Sequence, residues 1–164
     1  MTDLPKLHIV VLMGGWANER PVSLMSGEDI AKALEERGHR VTRIDMDRHV
    51  AARIAEAAPD VVFNALHGPF GEDGTVQGLL KLAGVPFVGA GVLGSAVGMD
   101  KDVSKRLLRD AGLPIARFTV LKAGDDIDFE TISADLGLPF FLQPANLGSS
   151  GGRANGPGRP RFRA

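Results

Sequence analysis

Between Asn64 and Gly78 the chain reads Asn-Ala-Leu-His-Gly-Pro-Phe-Gly-Glu-Asp-Gly-Thr-Val-Gln-Gly. His67, Glu72 and Asp73 stand here among four glycines, between an apolar run and an amphipathic one. That composition suits a ligand loop better than a core segment. Histidine is the side chain most easily used near neutral pH, although His67 also reads as a capping or core histidine. Asp73 reads best as a charge stabilising the start of the next helix. Upstream, Gly14-Gly15 is followed by Glu19 and by a helical stretch with Ser23 and Ser26. A glycine turn and a helix start present N–H groups to an anion, and Glu19 beside them could hold an ammonium. A plain βα turn with a solvated Glu is an equal reading. The spacing is not Gly-x-Gly-x-x-Gly, which counts against a dinucleotide. Further on, Gly89-Ala90-Gly91 precedes Met99-Asp100-Lys101 and Ser104-Lys105, and Lys101 could meet a phosphate as a point charge or simply be solvated. Gln143-Pro144-Ala145-Asn146-Leu147-Gly148-Ser149-Ser150 has the small residues of a loop that closes over phosphate, or of an ordinary linker.

The elements around these residues follow from hydrophobic spacing. Leu7–Met13 is a β-branched apolar run ending at the glycine turn, the pattern of a buried strand. Helical spacing runs from Val22 to Arg37, with Gly38 as its stop. Strands are expected at Arg40–Ile44, Val61–Phe63 and Val85–Val88, and helices at Val50–Ala58 and Thr75–Leu82. This β-α-β-α-β-α-β alternation predicts a parallel sheet covered by helices, a Rossmann-like α/β unit over residues 1–98. Ligands of such sheets bind beyond the carboxyl ends of the strands, which places Glu19 and His67 at one edge. From residue 99 the pattern changes, with helices at Asp100–Ala111 and Phe129–Leu136 and strands at Pro114–Leu121 and Phe140–Gln143. Residues 99–150 read as the opening of a second domain, and 151–164, rich in Gly, Arg and Pro, as a disordered basic tail.

Composition narrows the class. The chain has 164 residues, 44% hydrophobic and 24% charged, with no cysteine for a disulfide or thiolate metal site. Four of its 19 Lys and Arg stand beyond residue 150, where there is no acid, leaving 15 basic against 20 acidic side chains before it. A nucleic-acid or membrane-binding face is therefore not expected in the body. The longest apolar run is too short to span a bilayer and no basic leader precedes it, so a cytoplasmic location is expected.

Four motifs in order then carry a resemblance. Gly14-Gly15 with Glu19-Arg20-Pro21-Val22-Ser23, His67 through Gln77-Gly78 and on to Gly89, Met99-Asp100-Lys101, and Pro144 through Ser150 together resemble the D-alanine–D-alanine ligases of the ATP-grasp superfamily. The resemblance covers roughly residues 5–150. It implies a pre-ATP-grasp domain followed by the start of an ATP-grasp domain, in a cytoplasmic, usually homodimeric enzyme of peptidoglycan synthesis that shapes the cell wall. Such enzymes use ATP and Mg²⁺. ATP phosphorylates the carboxylate of one D-alanine, the amine of a second attacks the acyl phosphate, and phosphate leaves. The resemblance implies that Glu19 holds the ammonium of the first D-alanine in a network with Ser150. It further implies that Val22, His67 and Glu72 lie at the substrate, and that Lys101, Gln143 and Ser149 lie at the ATP phosphates. Where the family has Lys, Gln143 keeps hydrogen bonding but lacks the charge.

The family's magnesium ligands lie beyond the equivalent of Ser150, and no Asp or Glu follows Asp135, so no metal site is assigned and no ligase activity is expected of these 164 residues alone. The family's usual Gly-Ser-Ser-Val-Gly-Val is here Gly-Ser-Ser-Gly-Gly-Arg. One base inserted after the Ser150 codon converts GTG GGC GTG into GGT GGG CGT, so a frameshift is one expectation for the tail, beside a truncation or a divergent end. The competing functional reading is a non-catalytic α/β module that binds a small ligand or pairs with another subunit.

Overall fold

A computed structural model of the chain describes residues 5–126 and 128–147. The chain divides into two compact units, the first ending at Met99 and the second starting at Asp100.

The first unit is organised around β1 (His8–Met13), which is buried along its whole length. Alternate residues of a strand face opposite sides of the sheet, and here both sides are covered. Val10 and Leu12 pack with Ile44, Ile54, Val62 and Leu80. Ile9, Val11 and Met13 pack with Ala31 and Ala65 on the other side. This is why the run is continuously apolar rather than alternating. The remaining elements are α1 (Arg20–Glu36), β2 (Arg40–Asp45), α2 (Val50–Ala57), β3 (Val61–Asn64), α3 (Thr75–Leu82), β4 (Phe87–Val88) and α4 (Val92–Met99). The strands form the expected parallel sheet, in the order β2-β1-β3-β4. Register pairs Met13 with Asp45 and Leu12 with Asn64, so the turns after β1, β2 and β3 open on one carboxyl edge. α1 lies close to β1 at Gly27, where an added Cβ would fall 2.6 Å from Met13 Cβ. Arg43 of β2 donates to Glu28 at 2.7 Å and to Glu35 at 2.6 Å, pinning α1 to the sheet's outer strand.

α4 was not anticipated from the sequence. Its glycines, Gly94 and Gly98, weaken helix propensity, and Val-Leu-Gly-Ser-Ala-Val-Gly-Met shows no amphipathic stripe. It is held against α3.

The second unit contains α5 (Lys101–Asp110) and α6 (Phe129–Leu136), each capped by an Asp that accepts two backbone N–H groups, Asp100 and Asp128. The two strands expected here do not form. Residues 113–122 carry no strand, and of Phe140–Gln143 only Leu142 makes a single bridge. No helix among the described residues is long and apolar enough to cross a membrane.

Candidate functional site

The β1–α1 turn is shaped by glycine and braced by charge. Gly14 and Gly15 have φ of 78° and 79°, a region costly for residues with a Cβ. At Gly14 there is also no room, since a Cβ would fall 2.1 Å from Asp45 Oδ1. Asp45, the last residue of β2, accepts both guanidinium nitrogens of Arg20, at 2.6 and 2.5 Å. Arg20 also donates to the Gly15 carbonyl at 3.2 Å. Arg20's hydrogen bonds hold the Asp45 carboxyl below the usual carboxylate range. Glu19 stands just before α1, at its cap position, yet its carboxylate makes no capping bond. No hydrogen-bond or ion-pair partner holds it among the described residues.

The loop after β3 is wired to itself. Asn64 donates to the Gly71 carbonyl at 2.8 Å, and Gln77 of α3 donates to the same oxygen at 2.8 Å. A Cβ at Gly71 would fall 2.4 Å from Leu66 Cβ, so the loop closes this tightly only with glycine there. Glu72 accepts the Gly68 N–H at 2.6 Å. Asp73 accepts the Phe70 N–H at 2.8 Å and the Thr75 N–H at 2.9 Å. Burial pushes the Asp73 carboxyl up, but these donors outweigh it and the net shift is downward. Phe70 sits at φ 69°, uncommon for a residue with a side chain. Its ring meets Trp16 edge-on, with centroids 5.4 Å apart.

These two segments meet at Gly68. A Cβ added there would lie 3.2 Å from Glu19 Oε2 and 2.9 Å from Ala17 Cβ. The Glu19 carboxylate therefore rests against Gly68 Cα, while Glu72 occupies the Gly68 N–H. Two carboxylates and the half-buried imidazole-bearing residue His67 thus gather at the carboxyl edge of the sheet. Glu72 and Asp73 brace the loop, whereas Glu19 and His67 keep their side chains without protein partners among the described residues. A pair of carboxylates with one unpartnered member is suited to a small cation such as an ammonium. Val22 lies on the first turn of α1, half exposed. An apolar pocket of about 490 Å³ adjoins the loop through Phe70 and Trp16, and is walled by Met46, Val50, Val76 and Leu79. Phe70, Thr75 and Val76 of the His67–Gly78 stretch line it, but none of Glu19, Val22, His67 and Glu72 does.

In the second unit, Lys101 Nζ donates to the Leu147 carbonyl at 2.5 Å, and its backbone N–H donates to the Ala145 carbonyl at 3.0 Å. Asp100 accepts from Asn146 at 3.2 Å as well as capping α5. Lys101 is thus gathered onto the Pro144–Leu147 loop. Gln143 is exposed at the loop's start. Ser149 and Ser150, with the tail and the frameshift expectation, lie outside the described residues. Among the described residues there is no group of three His, Cys, Asp or Glu able to hold a metal ion.

Comparison with known proteins bears on this arrangement. The family model described as D-ala D-ala ligase N-terminus matches residues 48–90, a span that includes the whole His67–Gly78 loop. The D-alanine–D-alanine ligase of Erythrobacter litoralis is 58% identical over 149 residues, covering 91% of this chain. The chain matches the N-terminal part of D-alanine–D-alanine ligases. The family enzyme of Novosphingobium aromaticivorans is 54% identical over 153 residues. A crystal structure of the Bacillus anthracis ligase aligns over 90% of this chain with 35% identity and a TM-score of 0.78. A second structure of that ligase, complexed with ATP, aligns over 86% with 33% identity and a TM-score of 0.75. The chain spans about half the length of the curated relatives it matches, 45% and 47% of the first two, and 48% of the Bacillus anthracis chain.

The sequence pointed to Glu19, His67 and Lys101 by residue type and by their place after strands or at a helix start. It carried no signal for the brace formed by Arg20 and Asp45, which are 25 residues apart. Asn64 and Gln77, converging on one carbonyl, were equally silent.

Proposed function

We propose that this chain forms the first-substrate half of an ATP-dependent D-alanine–D-alanine ligase. The observation that carries the reading is the Glu19 carboxylate, unpartnered at Gly68 beside Glu72. A carboxylate with no protein partner among the described residues, set at the open edge of a parallel sheet, is where an amino acid's ammonium would be held. In this reading Glu19 takes the ammonium of the first D-alanine, Val22 meets its methyl group, and His67 stands near its carboxylate. Glu72 keeps Gly68 in place and adds negative charge.

Lys101, at the start of α5 and bonded to the Pro144–Leu147 loop, supplies a cation for ATP phosphates together with Gln143; Ser149 and Ser150, outside the described residues, keep the ATP and substrate roles that the resemblance implies. Gln143 is neutral, so charge stabilisation of a transferring phosphoryl group rests more heavily on Lys101. Magnesium is the metal implied by the family, but the described residues offer it no ligand set, and no step through it is assigned to this chain. The full-length enzyme would act in the cytoplasm as a homodimer, joining two D-alanines for peptidoglycan synthesis.

Calorimetric titration of these 164 residues with D-alanine tests the reading. Binding is expected in the absence of ATP, with no D-alanyl-D-alanine formed on adding ATP and Mg²⁺. Glu19→Gln is expected to weaken binding at least about tenfold, since a buried or half-buried charge pair is worth that or more. The same change should leave thermal stability unaltered, because the carboxylate braces nothing. Equal D-alanine affinity in Glu19→Gln would remove the proposal.

A further inference from the structure

The segments bearing Glu19 and His67 follow different strands, β1 and β3, yet a D-alanine held between them requires a fixed separation. We propose that Ser23 is the positioning residue that sets it, an inference that rests on the substrate reading above for its functional meaning. Ser23 lies on the first turn of α1 and is fully buried. Its hydroxyl oxygen accepts the Gly14 N–H at 2.9 Å, and its proton is donated to the Ala65 carbonyl at 2.7 Å. Its own backbone N–H donates to the Glu19 carbonyl at 3.0 Å. One residue therefore touches the start of the glycine turn, the main chain of Glu19, and the strand exit two residues before His67. The hydroxyl is used in both directions, so its rotor is fixed.

No hydrophobic residue can substitute for this contact. Alanine at 23 leaves a buried N–H and a buried carbonyl unpaired, and the chain must move to re-pair them. Those two groups lie on the two segments whose separation matters. Ser26, one turn further on, offers a contrast. Its hydroxyl donates to the Val22 carbonyl at 2.9 Å, within its own helix, and ties nothing across the sheet.

The experiment is amide hydrogen exchange on ¹⁵N-labelled chain, with D-alanine titrated into the same samples. Ser23→Ala is expected to speed exchange about tenfold at Gly14 and from Leu66 to Gly68, while the amides of β2 and α2 keep wild-type rates. D-alanine affinity should fall by a similar factor, and Ser26→Ala should change neither. A uniform acceleration would mean general destabilisation, and acceleration at Gly14 alone would mean a local turn contact; either result overturns the proposal. Should Ser23→Ala not fold, the wild-type chain still decides. The Ser23 hydroxyl proton must be seen as a slowly exchanging resonance with nuclear Overhauser contacts to the Gly14 and Leu66 amides, and its absence refutes the tie. If wild-type chain binds no D-alanine, the substrate reading fails, while the exchange pattern still reports on Ser23.

Discussion

The two units of the chain use apolar residues of the same kinds, at comparable spacing, with opposite results. In the first, fourteen hydrophobic side chains from Ile9 to Leu80 are buried, on both faces of a four-stranded sheet. In the second, among the described residues, α5 and α6 bury none. Val103, Leu107, Leu108, Leu113 and Leu138 stand 40% to 68% exposed. The spacing of Val103 and Leu107 is that of an amphipathic helix, and the helix duly forms. Periodicity dictates the element, but burial depends on a facing element, which β1 has on both sides. The same contrast runs through the polar groups. In the first unit Ser23 ties main chain 42 residues away, and Asn64 and Gln77 close the loop on one Gly71 carbonyl; in the second, Asp100 and Asp128 mostly serve their own helices.

The largest effect that could break this comparison lies in the core. Leu12→Ala is expected to cost about 3 kcal/mol by denaturant unfolding, and Leu107→Ala less than about 0.5 kcal/mol. Similar losses at both sites would show that the second unit has a core of its own. A smaller difference separates two aspartates of like chemistry. Asp73→Ala removes two hydrogen bonds to the Phe70–Thr75 turn and should cost about 1 kcal/mol. Asp128→Ala, at an exposed helix start, should cost less when both are unfolded in urea. Smallest is the Arg20–Asp45 pair, whose members are both half exposed. Such pairs contribute little at neutral pH. Because the folded Asp45 carboxyl lies below its unfolded value, its contribution is present above the unfolded value of about 4 and is lost as pH falls through the folded one. Asp45→Asn should therefore match wild type more closely in acid than at pH 7, a convergence measurable by thermal unfolding across pH.

What could be read from the sequence follows the same division. β1 was legible because a doubly covered strand writes itself as an unbroken apolar run, and Thr75–Leu82 because its apolar stripe and flanking glycines agree. Pro114–Leu121 has strand-like residues but no partner strand among the described residues, and a strand is made by its neighbour's hydrogen bonds, which local spacing does not encode. α4 failed in the other direction, since its helix is supported by packing against α3 rather than by its own residues. In the site, Glu19 and His67 were legible as chemistry placed after strands. Ser23 was visible only as a hydroxyl on a helix, because its second partner, Ala65, is 42 residues away. Glu72 shows a contact that residue type does not announce. It was singled out for the substrate, and the structure engages it with Gly68 N–H, a role that prepares the loop whatever else it touches.

The edge-on contact of Trp16 with Phe70 has an optical consequence. The chain contains one tryptophan and no tyrosine. All of its emission beyond the phenylalanine range therefore comes from a single indole, half exposed and resting on the loop that begins at His67. The molecule carries its own fluorophore at the rim of its candidate site. Any occupant that shifts Phe70 will change the colour or the yield of that emission without a label being attached.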